Sequence, residues 1–350
     1  MIKAEIVAHS LNEQGDELIS VLCTFPRILL SEVNTHRMLS KNTSSSRAIP
    51  FNKMVEAVQE NPFIPIAWQK DHKGMQGSEY FTEKKDIEEK EMYWITASKS
   101  AINMAEKLNN HNTTKQLCNR LLEPFMWTTM LITGNLESWQ NLFNLRCPNY
   151  IIPNWDKSFK SWKEVCKELP MSLNAHILEK LQFNKGQAEI HFMDLAEKIY
   201  DVVNESTPKQ LKPEEWHIPM GDKIPFVGNL IQSVDVNNTY WKDYDEQNRV
   251  KISTALAART SYTVVGDEKE IDYKKMIELH DRLISQNPPH SSPMEHCARA
   301  MSDEEYNMYW KSYGTRYKDN NHIKSVEGGW CRNLKGFIQY RHLIENGQGL

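Results

Sequence analysis

One stretch constrains this chain more than any other, because the fold must either expose its positive charges or supply them with an anion. It reads T-H-R-M-L-S-K-N-T-S-S-S-R from residue 35 to 47 and closes with Ala48-Ile49-Pro50. No acidic residue occurs between Glu32 and Glu56. Guanidinium groups and short hydroxyl donors suit phosphate oxygens, so this composition indicates an anion-binding loop. A solvated, serine-rich turn explains the same composition. The cations and hydroxyls are Arg37, Lys41, Arg47, Lys53, Thr35, Ser40, Thr43, Ser44, Ser45 and Ser46.

The segments before this stretch predict two strands and a helix. Residues 2–9 and 17–25 have strand composition, and the polar run L-N-E-Q-G between them suits a hairpin turn. Pro26 fits the first position of a helix, where its missing N–H costs nothing, and apolar residues follow at helical spacing. This helix would deliver His36 and Arg37 at its C-terminal end.

The rest of the chain predicts long helices with one further strand. Residues 51–86 contain Pro62 and Pro65 and are interpreted as an irregular lid or interface loop. No G-x-G-x-x-G follows a strand, so a Rossmann dinucleotide site is not indicated. We therefore predict an α/β (α+β) fold with a mixed or antiparallel sheet. The predicted elements are a strand at 125–132 ended by Gly134, and helices at 88–108, 135–146, 187–203 and 272–286.

Composition excludes two classes of protein. The net charge is −4, whereas a protein that neutralises nucleic-acid backbone is expected to be basic overall or in long patches. The longest apolar stretch, Met126 to Ile132, is too short to span a bilayer. The 350-residue chain is therefore expected to be a globular cytoplasmic protein with no membrane and no nucleic-acid partner.

The six cysteines form no C-x-x-C pair and no zinc spacing. Reduced structural thiols are therefore expected, and no metal site is implied. Cys147 follows Arg146 directly and is the one candidate for a nucleophile, but a buried, inert thiol is the simpler interpretation.

A second polar block lies near the C-terminus, in the run N-P-P-H-S-S-P-M-E-H. His290, Ser292, Glu295 and His296 surround Pro293. The spacing fits a capping box, with Ser292 as N-cap and Pro293 at the first helical position. The same helix start could face an anion.

The 35–47 stretch resembles the signature of the flavin-dependent thymidylate synthases, which is R-H-R, two residues, S, one residue, N, two residues, S, one residue, R. Thr35 stands where that family has its first arginine. The run S-S-R-A-I-P and the downstream Gly74-Met75-Gln76 look like a longer, divergent branch of the family. The residues in register are His36, Arg37, Ser40, Asn42, Ser45 and Arg47.

Later segments extend the resemblance. Arg120 lies four residues before Pro124, where family members place a phosphate-binding arginine. The family also ends a helix in N-L-R, with asparagines eleven and five residues before the arginine, which here are Asn135, Asn141 and Arg146. Glu137 replaces a further family arginine.

The order of segments differs from the family's. Residues 147–186 are interpreted as an insertion near the mouth of the site, with Tyr150 nearest to the position of a family histidine. The family carries A-R-x-S-Y and H-x-S/T-P-F-E-H before its R-H-R motif, but here the matching block, residues 257–296, comes after it. Compact domains tolerate such permutation when the elements return to one neighbourhood. Residues 1–350 are expected to form one catalytic domain.

The resemblance implies methylation of deoxyuridylate to thymidylate, with FAD as cofactor and NADPH and methylenetetrahydrofolate as co-substrates. It also implies a homotetramer with sites built across subunits. Arg146 would be catalytic, stabilising an anion at the pyrimidine edge. Ser45, Ser46, Arg47 and Arg120 would bind the nucleotide. Those expected around FAD are His36, Arg37, Asn135, Asn141, His290, Ser292 and Glu295.

Two alternatives remain open. The same motifs are compatible with a flavin- and folate-dependent 5-hydroxymethylase, because exclusion of water from the site decides between the products. The missing arginines at Thr35 and Glu137 are also compatible with a catalytically silent homologue that binds nucleotides.

Overall fold

The computed structural model describes residues 1–73, 77, 79–186, 188–224, 245–263, 265, 271–308 and 334–350. Three parts of the sequence named above lie outside the described residues: Gly74-Met75-Gln76, Gln187 and one cysteine, Cys331. The strands are β1 Lys3–Leu11, β2 Glu17–Pro26, β3 Ser40–Thr43, β4 Trp127–Asn135, β5 Tyr150–Ile151, β6 Ser158–Phe159, β7 Lys209–Gln210, β8 Trp216–His217, β9 Ala298–Ala300 and β10 Phe337–Gln339. The α-helices are α1 Leu30–Asn34, α2 Phe51–Glu60, α3 Lys84–Asn110, α4 Lys115–Cys118, α5 Leu136–Arg146, α6 Trp162–Glu168, α7 Ile177–Phe183, α8 Ile190–Glu205, α9 Glu246–Arg259, α10 Tyr273–Ile284 and α11 Tyr340–Glu345.

A five-stranded mixed sheet in the order β3-β4-β2-β1-β7 forms the centre of the described fold. β1 and β2 are an antiparallel hairpin, β4 runs antiparallel to both β2 and β3, and β7 is parallel to β1. The predicted strands at 2–9 and 17–25 and the predicted mixed sheet with long helices are confirmed. A second sheet joins β8, β9 and β10.

Helices cover both faces of the large sheet, because successive residues of a strand point to opposite faces. On one face, Ile19 and Val21 of β2 pack in a cluster with Phe192 of α8. On the other, Leu131 of β4 packs in a cluster with Ile252 of α9. The sheet therefore forms the middle of three layers.

The prediction that residues 51–86 are irregular throughout was wrong at its beginning. Phe51 to Glu60 form α2, whose buried side chains recur at helical spacing and pack in a cluster with Ile102 of α3. The prolines at 62 and 65 lie beyond this helix.

Gly134 does not end the fourth strand, contrary to the prediction. It lies inside β4, where it pairs with Ile19. A Cβ atom at this position would lie 2.4 Å from Cδ2 of Leu39. The glycine is therefore explained by close packing rather than by a break in the strand.

Residues 147–186 fold into a small unit with β5, β6, α6 and α7. Its two ends meet, because the backbone N–H of Lys185 donates to the carbonyl of Asn149 at 2.8 Å. Glu197 of α8 attaches the unit to the rest of the fold by accepting the hydroxyl of Tyr150 at 3.0 Å and the backbone N–H of Trp162 at 2.6 Å. The hydroxyl of Tyr150 is therefore occupied by its hydrogen bond to Glu197. That this unit is an insertion in a single catalytic domain stays a prediction.

Candidate active site

The centre of the site is a contact between Arg146 and His36. The α5 helix ends at Arg146, and its Nε donates to Nε2 of His36 at 3.2 Å. The guanidinium carbon lies 5.0 Å from the ring centroid of Phe192, and the His36 and Phe192 rings form a T-shaped pair with their centroids 5.7 Å apart. One aromatic ring of α8 therefore holds both side chains.

His36 is a neutral imidazole. Burial, together with the positive charges of Arg146 and Lys41, lowers its pKa from 6.5 to about 4. Since Nε2 accepts from Arg146, the hydrogen-bond pattern assigns the ring proton to Nδ1. His36 thus orients the guanidinium without competing with it for an anion.

A cavity of about 280 Å³ opens beside this pair. It brings together four of the predicted site residues, His36, Arg37, Asn141 and Arg146, with Arg37 and Asn141 exposed to solvent. The other lining residues are Thr35, Met38, Leu39, Ser138 and Leu145.

The predicted nucleotide-binding serines lie on a tight turn, residues 44–49, which we call the serine turn. The carbonyl of Ser45 accepts from the N–H groups of Ala48 and Ile49, and the Ser45 hydroxyl accepts from the N–H of Arg47 at 3.3 Å. Ser46 is buried, whereas Arg47 is exposed. The turn therefore presents the Arg47 side chain to solvent.

Arg120 is connected to the serine turn through its neighbour, Asn119, which is hydrogen-bonded to that turn. Asn119 and Arg120 share the 3₁₀ turn Asn119–Leu121, in which Arg120 is exposed and Asn119 is fully buried. The amide of Asn119 donates to the carbonyls of Ser46 at 2.7 Å and Ile49 at 3.1 Å. The sequence analysis missed Asn119, because no local pattern links it to a turn seventy residues away.

The C-terminal block returns to the 35–47 stretch, as the permuted order requires. The Ser292 hydroxyl donates to Oδ1 of Asn42. The amide of Gln339 donates to the Ser40 hydroxyl at 3.0 Å and to the carbonyl of Glu295 at 3.2 Å. The block therefore lies against β3.

The predicted capping box in this block was wrong. Residues 292–295 form a 3₁₀ turn whose N-cap is Ser291, with no side-chain cap. Ser292 contacts Asn42 instead, and Glu295 pairs with Arg341 at 2.5 Å. These long-range partners outcompete the local capping bonds.

Four of the predicted cofactor residues do not line the cavity: Ser292 and Glu295 of the C-terminal block, Asn135 and His290. Asn135 donates to the carbonyls of Glu17 and Lys335, both at 3.0 Å, and accepts the N–H of Lys335 at 2.7 Å. Its amide thus ties the start of α5 to the C-terminal segment. His290 is exposed, and its backbone N–H donates to Leu283.

Lys41 is a further cation of the site. It lies on β3, and its ammonium group donates to the backbone carbonyl of His36. Burial lowers its pKa from 10.5 to about 8, opposed by the negative charge of Glu295.

Lys41 gives a prediction about stability and pH. Between pH 8 and 10.5 the unfolded chain binds more protons at Lys41 than the folded chain does. The contribution of Lys41 to the free energy of unfolding therefore rises with pH across this window. We expect this free energy, measured by urea denaturation, to rise less steeply with pH in Lys41→Met than in the wild type. The control Lys84→Met should keep the wild-type slope, because 89% of the Lys84 side chain is exposed. Equal slopes for Lys41→Met and wild type would contradict the prediction.

The thiols offer no activated nucleophile among the described residues. The five described cysteines are unpaired, and burial raises the pKa of Cys147 above its ordinary value. Within the described ranges, no group of three or more His, Cys, Asp and Glu side chains could hold a metal ion. No helix in the described part of the chain is long and apolar enough to cross a bilayer.

Comparison with known proteins gives one family match. The model of the family described as "Thymidylate synthase complementing protein", Thy1, matches residues 18–209, which include the 35–47 stretch, Arg120 and Arg146. The block at 257–296 lies outside the matched residues. No curated protein matches the chain.

Several solved structures resemble parts of the fold. One is a UMP/dUMP methylase, PolB, from Streptomyces cacaoi, bound with 5-Br dUMP, which is 10% identical to this chain. The alignment covers 59% of this chain and 91% of the PolB chain, with a TM-score of 0.41. Another is Thymidylate Synthase X from Helicobacter pylori, with FAD and dUMP, which is 16% identical to this chain. The alignment covers 53% of this chain and 67% of the Helicobacter pylori chain, with a TM-score of 0.30.

Proposed function

Because the chain belongs to the thymidylate synthase complementing protein family, Thy1, whose model matches more than half of it, we propose that it is a flavin-dependent methyltransferase. It converts deoxyuridylate to thymidylate, with methylenetetrahydrofolate as carbon donor, FAD as cofactor and NADPH as electron source. The observation that carries this proposal is the contact of Arg146 with His36, which joins the end of α5 to the 35–47 stretch beside a cavity.

The donor set at the cavity fits part of FAD. His36, Arg37, Asn141 and Arg146 offer hydrogen bonds and positive charge to ring oxygens and to phosphate. Its volume of about 280 Å³ lies near the lower end of small-molecule sites, about 300–1,000 Å³, which suits one ring system rather than a whole dinucleotide. The remainder of FAD would be held by three residues of the C-terminal block. These are Ser292, which contacts the 35–47 stretch, Glu295, which contacts Arg341, and His290. Asn135 would act indirectly, by fixing the start of α5.

The serine turn suits the phosphate of the nucleotide. The hydroxyls of Ser45 and Ser46 and the exposed guanidinium groups of Arg47 and Arg120 are the donors that a phosphate monoester prefers. Arg27, Lys115 and Asn119 donate to backbone carbonyls of this turn, which leaves the Ser45 hydroxyl and the Arg47 guanidinium to serve the ligand.

Arg146 does the electrostatic work of the reaction. Bonding of the new carbon at C5 of uracil requires electron density at C5, and a guanidinium aimed at N3 or O4 stabilises the pyrimidine anion that carries this density. Neutral His36 and the ring of Phe192 hold Arg146 in one orientation, which reduces the entropy lost on reaction. When bound, reduced FAD supplies the hydride that completes the methyl group. The buried thiol of Cys147 leaves no role for that cysteine as nucleophile.

Six of the proposed site residues are exposed in the single chain, so we propose a homo-oligomer, a tetramer, in which other subunits cover them. The exposed site residues are Arg37, Arg47, Arg120, Asn141, His290 and Ser292.

The reaction product tests the proposal. Purified protein should bind FAD, and a complete reaction should release tritium from C5 of labelled deoxyuridylate and yield thymidylate by mass spectrometry. Protein that gains no flavin absorbance with added FAD would overturn the proposal. Binding of deoxyuridylate without tritium release would instead identify a catalytically silent homologue.

A second product is favoured by the open mouth of the cavity. Arg37, Met38 and Leu145 line it and are exposed in the single chain, so a mouth that no other subunit covers gives water access to the cavity. Capture by water would give the 5-hydroxymethyl nucleotide instead of thymidylate. The same mass spectrum separates the two, and thymidylate alone would eliminate the hydroxymethylase.

A further inference from the structure

Four backbone carbonyl groups of the serine turn accept hydrogen bonds from side chains that lie outside the turn. Arg27 donates to the carbonyl of Ser44 at 2.8 Å, and Lys115 donates to the carbonyl of Ala48 at 3.0 Å. Asn119 takes the remaining two, those of Ser46 and Ile49. Asn119 is thus the fully buried member of this set, since the Arg27 and Lys115 contacts are partly buried and exposed.

The orientation of the Asn119 amide follows from its partners. Two carbonyl oxygens face it, so the NH₂ group must point to them and the oxygen must point away. That oxygen is buried without a hydrogen-bond partner among the described atoms. An unpaired buried acceptor costs about 1–3 kcal/mol, which offsets part of what the two donated hydrogen bonds contribute to stability. The amide is therefore better explained by what its two donors position.

We propose that Asn119 is a positioning residue for the nucleotide phosphate, a role that rests on the proposed function. Asn119 and Arg120 are consecutive in one 3₁₀ turn, and Asn119 is bonded to the turn that carries Ser45 and Arg47. The two bonds therefore fix the backbone of Arg120 relative to the serine turn. Arg47 and Arg120 are thereby held ready for the same phosphate monoester.

Charge repulsion explains why such a fastening is needed. Two guanidinium groups that converge on one anion repel each other when the anion is absent. A loose connection would let them separate, and binding would then have to reorder both segments. The neutral amide of Asn119 holds the segments together without adding charge to the site.

Replacement of Asn119 by alanine tests the proposal. We expect the dissociation constant for deoxyuridylate, measured by calorimetry, to rise about tenfold, which corresponds to the loss of about 1.4 kcal/mol. The turnover number at saturating nucleotide should change less than about twofold, because Arg146 is untouched. The melting temperature should fall about as much as in the control described next, since the carbonyls of Ser46 and Ile49 lose their donor.

Asn12→Ala is the matched control. Asn12 is also buried, and its amide donates to a backbone carbonyl, that of Gly336, at 3.2 Å, but it lies in the β1–β2 turn. This variant should lower the melting temperature and leave the dissociation constant unchanged. Lys115→Met removes an exposed clamp of the same turn without opening a cavity, and should raise the constant about twofold to threefold. It decides the question if Asn119→Ala does not fold.

The outcomes separate the two proposals. Wild-type protein that binds no deoxyuridylate overturns the proposed function and the role of Asn119 with it. Wild-type protein that binds, together with an unchanged constant in Asn119→Ala, or in Lys115→Met where Asn119→Ala is unfolded, overturns the role of Asn119 alone.

Discussion

Replacement of Arg146 by methionine is expected to lower kcat/KM for deoxyuridylate about 10²- to 10³-fold, the usual cost of one well-aimed donor to a developing anion. The Met variant keeps an unbranched side chain beside Phe192 but loses the guanidinium that lies over its ring. Lysine should not restore the rate, because an ammonium group cannot donate to His36 and to the pyrimidine edge in the same planar geometry. Steady-state kinetics of tritium release measures the effect.

A second readout separates this role from general damage to the protein. The charge of Arg146 contributes to the low pKa of His36, so this pKa should rise from about 4 in Arg146→Met, as followed by NMR. Arg282→Met is the control, since Arg282 is exposed on α10 and should retain wild-type activity. More than a tenth of the wild-type rate in Arg146→Met would contradict the catalytic assignment.

The sequence was sufficient for those parts of the fold in which a periodic pattern coincides with burial. β2 has a nearly continuous apolar run, so its position was predictable from composition. The α8 helix was predictable from its apolar stripe, within the usual error at the ends. In contrast, the α2 helix was missed because the later prolines at 62 and 65 dominated the interpretation of the whole segment.

The motif residues of the candidate site could be selected from the sequence, but the residues that hold them in place could not. His36 and Arg146 stand out by motif and register, and the structure brings them into contact. The bonds from Asn119 to Ser46, from Ser292 to Asn42 and from Gln339 to Ser40 join segments 70 or more residues apart. No local spacing encodes such a pair.

Gly134 shows a related limit. In a sequence, glycine after an apolar run usually indicates the end of a strand. Here the surrounding packing decides instead, because the Leu39 side chain occupies the space of a Cβ atom. Only the meeting of β4 with the segment before β3 reveals this constraint.

The largest expected loss of stability follows replacement of Trp139 by alanine. Trp139 is fully buried and stacks on Phe143, with the two ring centroids 6.2 Å apart. It also donates its indole N–H to the carbonyl of Ile19 at 3.3 Å. Truncation of a buried tryptophan costs about 3–5 kcal/mol, because transfer energy and cavity energy are both lost. Urea denaturation followed by circular dichroism measures the free energy of unfolding.

The position of Trp139 links this loss to the site. It attaches α5 to β2, and the same helix carries Asn141 and Arg146, so a loosened α5 would also misplace the guanidinium that we propose as catalytic. Trp155→Ala is the matched control, because Trp155 is 37% exposed in the 147–186 unit and its removal should cost less than about 1.5 kcal/mol. Trp139→Phe keeps most of the apolar contact and should lie between the two. If Trp139→Ala cost no more than Trp155→Ala, the packing of α5 on the sheet could not be what positions Arg146.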